Sequence, residues 1–139
     1  MQGKVNQFAL GTRSLSKLKG VHPDLVAVVK RAITLSTVDF VIYDGVRTLD
    51  QQRLYVASGA SWTLKSRHLT GHAIDIAPCI GKDIRWDWPL FHFLAGAMKL
   101  AAKDLSIKID WGGDWPLKHK DGPHFQLPWL LYPAITPVK

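Results

Sequence analysis

Leu25, Val28, Val29, Ala32 and Ile33 fall at helical spacing behind His22-Pro23-Asp24, while Lys30 and Arg31 point to the opposite side. Pro23 suits a first helical turn, so the pattern predicts an amphipathic helix in the segment that starts at Val21. The residues before it, rich in Gly, Ser and Lys, read as an extended lead-in. Asp39-Phe40-Val41-Ile42-Tyr43 is β-branched and aromatic and stops at the turn signal Asp44-Gly45, which predicts a strand. Thr48 with Gln51 three positions on has the form of a capping box, and Gly59 closes the helix it opens. A polar connection runs from Gly59 to Ser66.

Ala73-Ile74-Asp75-Ile76-Ala77 alternates strictly, which sends Ile74 and Ile76 to a core and turns Asp75, between Ala73 and Ala77, toward a cleft. After a turn at Gly81, Asp87 is placed to cap a third helix with Leu90, Leu94, Ala97, Met98, Ala101 and Leu105 as its apolar stripe. Ile107-Lys108-Ile109-Asp110-Trp111 reads as a strand, followed by the glycine-rich loop Gly112-Gly113-Asp114-Trp115-Pro116. In His124-Phe125-Gln126-Leu127, the first and third residues share one face and Phe125 and Leu127 bury the other. Pro128, Pro133 and Pro137 deny the tail both helix and central-strand roles. These elements predict one α+β domain over residues 1–139, with helices packed on a small, largely antiparallel sheet.

Composition adds a few bounds. At 139 residues, 47% hydrophobic and 21% charged, the chain suits one globular core and is too short for two ordinary domains. Its net charge of +7 favours polyanions: nucleic acid, an acidic membrane face or an anionic wall polymer. The basic residues are scattered, without the aromatic interleaving of a nucleic-acid platform, so nucleic acid is not expected as a partner. The single cysteine, Cys79, excludes an internal disulfide and a cysteine-rich zinc site, and is most simply a buried small hydrophobe. The N-terminal residues lack the pattern of a secretory signal, and His92 and Lys99 interrupt the best apolar run short of the roughly 20 residues of a membrane span. Six Trp is a high count for this length and suits a groove that binds ligand partly through apolar contact.

The candidate chemistry lies in two segments. His68, Asp75 and His124 offer two imidazoles and a carboxylate, the donor set of a catalytic zinc site that keeps a position open for water. Taken singly, each has a plainer role: a hydrogen-bonded histidine, or a strand aspartate paired with a base. Asp121 stands three residues before His124 across Gly122-Pro123. It is a general base if His124 binds metal, and otherwise a turn aspartate. Arg47 at a strand end either steadies an oxyanion or makes a surface ion pair. Gln51 is a capping partner or a site residue. Ser66 is placed to hydrogen-bond substrate or a supporting group, and Trp111, Asp114 and Trp115 to line the cleft or pack in the core and turn. His72 is an alternative ligand, while His22, His92 and His119 suit structural or exposed roles.

Ser66-x-His68-x-x-Gly71-x-Ala73-x-Asp75 with Asp121-x-x-His124 resembles the signature of zinc peptidases that include D-alanyl-D-alanine carboxypeptidases, vancomycin-resistance dipeptidases and phage L-alanyl-D-glutamate endolysins. The resemblance is strongest to the small phage endolysins. It extends through the helix after Val21, the Arg47 to Gln51 segment and the Trp111 to Trp115 loop. It implies the Hedgehog/D-Ala-D-Ala peptidase type of fold, Zn2+ held by His68, Asp75 and His124, Asp121 as general base, and Arg47 steadying the scissile carbonyl. Ser66, Gln51, Asp114 and Trp115 are the expected substrate contacts. Many relatives carry Glu where this chain has Asp121 and an aromatic where it has Pro123; the shorter acid belongs to the endolysin-like branch.

The expected function is therefore cleavage of the L-alanyl-D-glutamate bond of bacterial peptidoglycan. The enzyme would be a monomer held in the host cytoplasm until the membrane is permeabilised, with no stable membrane insertion. A D-alanyl-D-alanine carboxypeptidase or dipeptidase is the alternative with the same metal centre. A non-haem iron oxygenase also uses two His and one acid, but commonly sets the first pair two residues apart on one strand, where this chain has seven. A wall-binding module without catalysis would have no need of the complete donor set and base.

Overall fold

The computed structural model describes residues 8–133. The N-terminal heptapeptide and Pro137 of the tail lie outside the described residues. The chain order is α1 (Thr12–Lys17), α2 (Pro23–Leu35), β1 (Asp39–Asp44), α3 (Leu49–Ala57), β2 (Ala73–Ile80), β3 (Asp83–Ile84), α4 (Trp88–Leu105), β4 (Asp110–Trp111) and β5 (His124–Gln126). Short 3-10 turns occupy Arg67–Thr70, Gly112–Asp114 and Leu117–His119. The sheet runs β1-β2-β5-β4, with β3 hairpinned onto the far end of β2, and every pairing is antiparallel.

α2 forms as its periodicity predicts, and Leu25, Val28, Val29, Ala32 and Ile33 are its buried residues. They pack with α4 and with Phe40, Ile42, Ile74, Ile76, Phe125 and Leu127 from the inner face of the sheet. β2 is the central strand and is buried from Ala73 through Cys79 on both faces. Its alternation therefore separates a hydrophobic core from a walled cleft, not from open solvent.

Four local expectations are corrected. The lead-in before Val21 contains α1, a helix with no apolar stripe that is anchored where the buried Ser14 hydroxyl accepts the Ile42 N–H at 3.0 Å. Asp87 precedes α4 but makes no capping hydrogen bond, because its carboxylate pairs with Arg85 at 2.7 Å. The buried stripe of α4 includes Phe91, Ala95 and Ala102, whereas Leu105 is exposed and Leu90 half-buried. Ile107 and Ile109 pack against the core from outside the sheet; only Asp110 and Trp111 pair, since β5 offers three residues to pair with.

One irregularity positions the site. Ile42 faces Ile76 across β1 and β2, but the next partner of Asp75 is Asp44, so Tyr43 is an inserted residue. A bulge of this kind bends the strand and re-aims its side chains. Here it places Asp44 opposite Asp75 and leaves Tyr43 half exposed at the surface.

Candidate active site

Asp75 and His124 are direct partners across β2 and β5, so their side chains leave the same face of the sheet. His68 reaches them from the 3-10 turn Arg67–Thr70. That turn is capped by Ser66, whose hydroxyl accepts the His68 N–H at 3.1 Å, and is ended by Gly71 at φ +78°. A side chain at Gly71 would also collide with the carbonyl of Gly20, so only glycine turns the chain back here.

Both imidazoles are oriented from behind. His68 donates its Nδ1 hydrogen to the Gly45 carbonyl at 2.7 Å, which frees Nε2. His124 donates its Nε2 hydrogen to Gln126 Oε1 at 2.7 Å, which frees Nδ1. The two freed nitrogens each lie 3.3 Å from Asp75 Oδ1. His68 Nε2 and Asp75 Oδ1 are buried without a hydrogen-bond partner. Such orphaned polar atoms are costly unless something binds them. The donor atoms of His68, Asp75 and His124 lie within 4.8 Å of one another, and the cluster could hold a metal ion. Two imidazole nitrogens and one carboxylate oxygen are a fitting set for zinc.

The electrostatics are tightly coupled. Burial alone would raise the Asp75 carboxyl, but the adjacent His68 and His124 hold it well below the usual carboxylate range. Burial likewise works to lower His124, and Asp75 outweighs it and raises the imidazole above its ordinary value.

The other Asp75 oxygen belongs to Arg47. The guanidinium donates from Nε to Asp44 Oδ2 at 2.7 Å, from Nη1 to Gln52 Oε1 at 2.9 Å and from Nη2 to Asp75 Oδ2 at 3.0 Å. The Tyr55 ring lies 4.5 Å from it. Arg47 is thus a largely buried group locked by three acceptors, and the surface ion pair is excluded. Gln52 is fully buried and continues the network, its amide nitrogen donating to Ser61 Oγ at 2.8 Å and the Thr63 carbonyl at 2.7 Å.

Gln51 is in the other of its two expected places. It is exposed, exchanges capping-box bonds with Thr48 and does not line the cleft. The residue that reaches the site is its neighbour. Arg47 precedes the N-cap Thr48 and Gln52 is the fourth helical residue, the two positions that a hydrophobic staple joins. A polar pair at those positions is a signal the capping box itself supplies.

Asp121 lines the same cleft. Its N–H donates to the Gly112 carbonyl at 3.0 Å and its own carbonyl accepts the His124 N–H at 3.2 Å. Gly112 has no room for a side chain, because a Cβ would strike the Asp121 carbonyl and crowd His124 Cβ. Burial, then the Asp75 charge, push the Asp121 carboxyl above its ordinary value.

The cleft has a volume of about 880 Å³. Trp115 lines it, with its ring centre 5.0 Å from that of His124, and so does Ser66. Asp114 does not: it is exposed and paired with Lys99 at 2.8 Å. Trp111 is core, 4% exposed, with its indole N–H on the Gly122 carbonyl. His72 turns away from the cluster to the Thr70 hydroxyl at 2.7 Å. His119, expected to be structural or exposed, lines the cleft and stacks on Trp62 at 4.2 Å. Arg67 is 2% exposed and ties the tail down through the carbonyls of Leu127, Pro128 and Tyr132, with its guanidinium 4.2 Å from the Trp129 ring.

Residues 6–127 match the family described as phage L-alanyl-D-glutamate peptidase. The chain is 41% identical over 112 residues to the L-alanyl-D-glutamate peptidase of Escherichia phage T5, covering 78% of this chain and 82% of that one. It is 34% identical over 128 residues to the L-alanyl-D-glutamate peptidase of Listeria phage A118, covering 90% of this chain but 44% of the relative. Among solved structures, the L-Ala D-Glu endopeptidase ChiX of Serratia marcescens superposes with a TM-score of 0.85 at 43% identity, over 92% of this chain and 96% of that one. With the family matched over most of its length, this chain belongs to the phage L-alanyl-D-glutamate peptidases.

Proposed function

We propose that the protein is a zinc-dependent endopeptidase that hydrolyses the L-alanyl-D-glutamate bond of peptidoglycan stem peptides, acting as a phage endolysin. The observation that carries this reading is the convergence of His68 Nε2, His124 Nδ1 and Asp75 Oδ1, two of them buried and unpartnered, at the floor of a cleft that Asp121 also lines. The names and close similarity of the relatives support the choice of scissile bond.

His68, Asp75 and His124 would hold the zinc, which would supply Lewis acidity and make water at the site more acidic. Asp121 accepts a proton from the attacking water at its carboxylate and returns it to the leaving amine nitrogen. Its backbone ties to Gly112 and His124 hold it in the cleft next to the metal-binding imidazole, where such a transfer is in reach. Arg47 has five N–H groups, three of them committed to Asp44, Gln52 and Asp75. The remaining two steady the oxygen of the scissile carbonyl as charge develops on it. Trp115 and Ser66 form part of the wall against which the peptide lies.

No helix among the described residues is long and apolar enough to cross a membrane. In this reading the enzyme is a monomer that reaches the wall from the host cytoplasm once the membrane has been opened. Incubation with defined muropeptides, read by mass, tests the reaction. A new D-glutamate N-terminus is expected, and release of terminal D-alanine alone would replace this reading with a carboxypeptidase. Metal analysis of protein purified without added metal is expected to give one zinc per chain, lost in His68→Ala.

A further inference from the structure

The bulge in β1 delivers Tyr43 to the surface, where it meets Trp86 edge-on at 5.3 Å between ring centres. Trp86 lies 6.1 Å from Phe91, and Phe91 lies 6.0 Å from Trp88. Segments remote in sequence therefore supply one aromatic ridge, in which Trp86 and Trp88 are joined through the buried Phe91. Tyr43, Trp86 and Trp88 are 48%, 52% and 43% exposed. Large rings gathered at a surface mark a binding face, because their area is left in water at a cost that a ligand recovers.

The ridge meets the cleft at one end. Tyr43 itself lines the cleft. At the other end, Lys120 lies with its ammonium 5.7 Å from the Trp88 ring, and Gly122 packs directly on Phe91. These are the two chain neighbours of Asp121, so the ridge starts at the cleft wall with Tyr43 and continues outside the cleft over Trp86 and Trp88, against the segment that holds Asp121.

The substrate proposed above carries a sugar close to the bond being cut. In peptidoglycan, L-alanine is the first residue of the stem and is amide-linked to the lactyl group of muramic acid. The glycan strand therefore begins about one residue, roughly 3.5 Å of extended chain, beyond the scissile bond plus the short lactyl arm. A pyranose has an apolar C–H face and a hydroxyl rim, which an exposed aromatic ring bordered by polar side chains complements. Around Trp86 and Trp88 that border is of mixed sign: Lys82, Asp83, Arg85, Asp87 and Lys120 are all exposed, and Arg85 pairs with Asp87. An acidic lipid surface would select an unbroken basic border; a neutral glycan needs donors and acceptors of both kinds.

We propose that Tyr43, Trp86 and Trp88 form a platform that stacks the N-acetylated sugars of the glycan strand next to the stem peptide being cut. The proposal rests on the endopeptidase reading for its choice of ligand, and the test separates the two. The full chain is titrated with an N-acetylglucosamine hexamer while its indole N–H signals are followed by NMR. Independently, kcat/KM is compared for a stem peptide carrying its disaccharide and for the same peptide beginning at L-alanine.

The wild type is expected to prefer the sugar-linked substrate, with hexamer shifts confined to Trp86 and Trp88. Trp86→Ala is expected to lower the preference about tenfold, the loss of one stacking contact, and to weaken hexamer binding in step. Trp86→Phe, which keeps an aromatic face, is expected to recover most of both. If neither substrate is cut, the endopeptidase reading fails while the hexamer titration still decides the platform. Absence of hexamer shifts at these two indoles overturns the platform, as does an equal loss on both substrates in Trp86→Ala. Trp86-dependent binding to phosphatidylglycerol vesicles, or Trp86-dependent self-association, in place of hexamer binding would assign the ridge to a membrane or to a second copy and overturn it too. Should Trp86→Ala melt below the assay temperature, the wild-type shifts and Trp86→Phe carry the decision.

Discussion

Gln126 sits two residues beyond His124 on the same face of β5 and takes the Nε2 hydrogen of that imidazole at 2.7 Å. An amide oxygen can only accept, so this contact selects the tautomer whose Nδ1 faces Asp75. The arrangement mirrors that of His68, where a backbone carbonyl does the same work with the opposite nitrogen. Groups behind a metal ligand typically contribute about 10 to 100-fold in affinity. Gln126→Leu is therefore expected to weaken zinc binding by about that factor in a chelator competition, with the His124 tautomer signal in 15N NMR becoming mixed. Gln126→Glu keeps an acceptor and should stay close to wild type. Equal zinc affinity in Gln126→Leu and wild type would remove the assigned role.

Arg47 is a second contact of this kind, holding Asp75 from its other oxygen, and it is the proposed oxyanion donor. A lysine ammonium is a point charge and cannot satisfy Asp44, Gln52 and Asp75 together as a planar fork does. Arg47→Lys is expected to reduce kcat by about 10² to 10³, the usual loss of an oxyanion donor, while the protein stays folded. At the adjacent positions the outcomes should differ sharply. Gln51→Ala removes an exposed capping partner and is expected to leave kcat/KM within about threefold, at a stability cost of about 1 kcal/mol. Gln52→Leu strands buried donors and acceptors on Arg47, Ser61 and Thr63, and is expected to lose about 2 to 3 kcal/mol in denaturant unfolding along with activity.

That contrast also shows where the sequence was legible. The buried face of α2 could be read residue by residue because its apolar positions follow one period and charges mark the other side. The stripe of α4 could not be phased as well. Its first half is apolar nearly all round, and Phe91, the ring that enters the core, is met there by Gly122 from a distant segment. His68, Asp75 and His124 were readable as a donor set because spacing and strand alternation put them on one side. The bulge that makes Asp44 the neighbour of Asp75 has no local signal, since it depends on the register of two strands about thirty residues apart. Trp62 and His119 meet only through the folding of two loops, and neither loop has a period to betray it.

Gly112 couples the two halves of the site. The Asp121 carbonyl and His124 Cβ both approach it so closely that a methyl group cannot be added without moving one of them. Gly112→Ala is expected to displace the loop, lowering the melting temperature through a cost of about 1 to 3 kcal/mol and weakening zinc binding. Gly11 has open space around it, so Gly11→Ala serves as the control for zinc binding and should leave that affinity unchanged. Normal zinc affinity in a folded Gly112→Ala protein would show that the loop can retreat without disturbing His124.

Asp121 should reveal its role through opposite effects on activity and stability. Burial and the Asp75 charge raise its carboxyl above the ordinary aspartate value, so the fold binds its proton more tightly than the unfolded chain does. The linkage then has a definite sign. The carboxyl costs nothing below the unfolded value of about 3.8, and its penalty grows as pH climbs through the raised folded value, persisting at neutral pH. Asp121→Asn carries no such charge. With chelator present, the variant is expected to melt above the wild type at pH 7, and the gap should close as the pH is taken below about 4. With zinc present, the same variant is expected to lose about 10² to 10⁴ in kcat, the range of a general base, while its zinc affinity stays within a few-fold of wild type. A stabilised protein that binds metal and does not turn over is the signature of a desolvated catalytic carboxylate. If Asp121→Asn instead kept wild-type kcat, the proton would have to travel through another group lining the cleft, and His119 would be the next residue to replace.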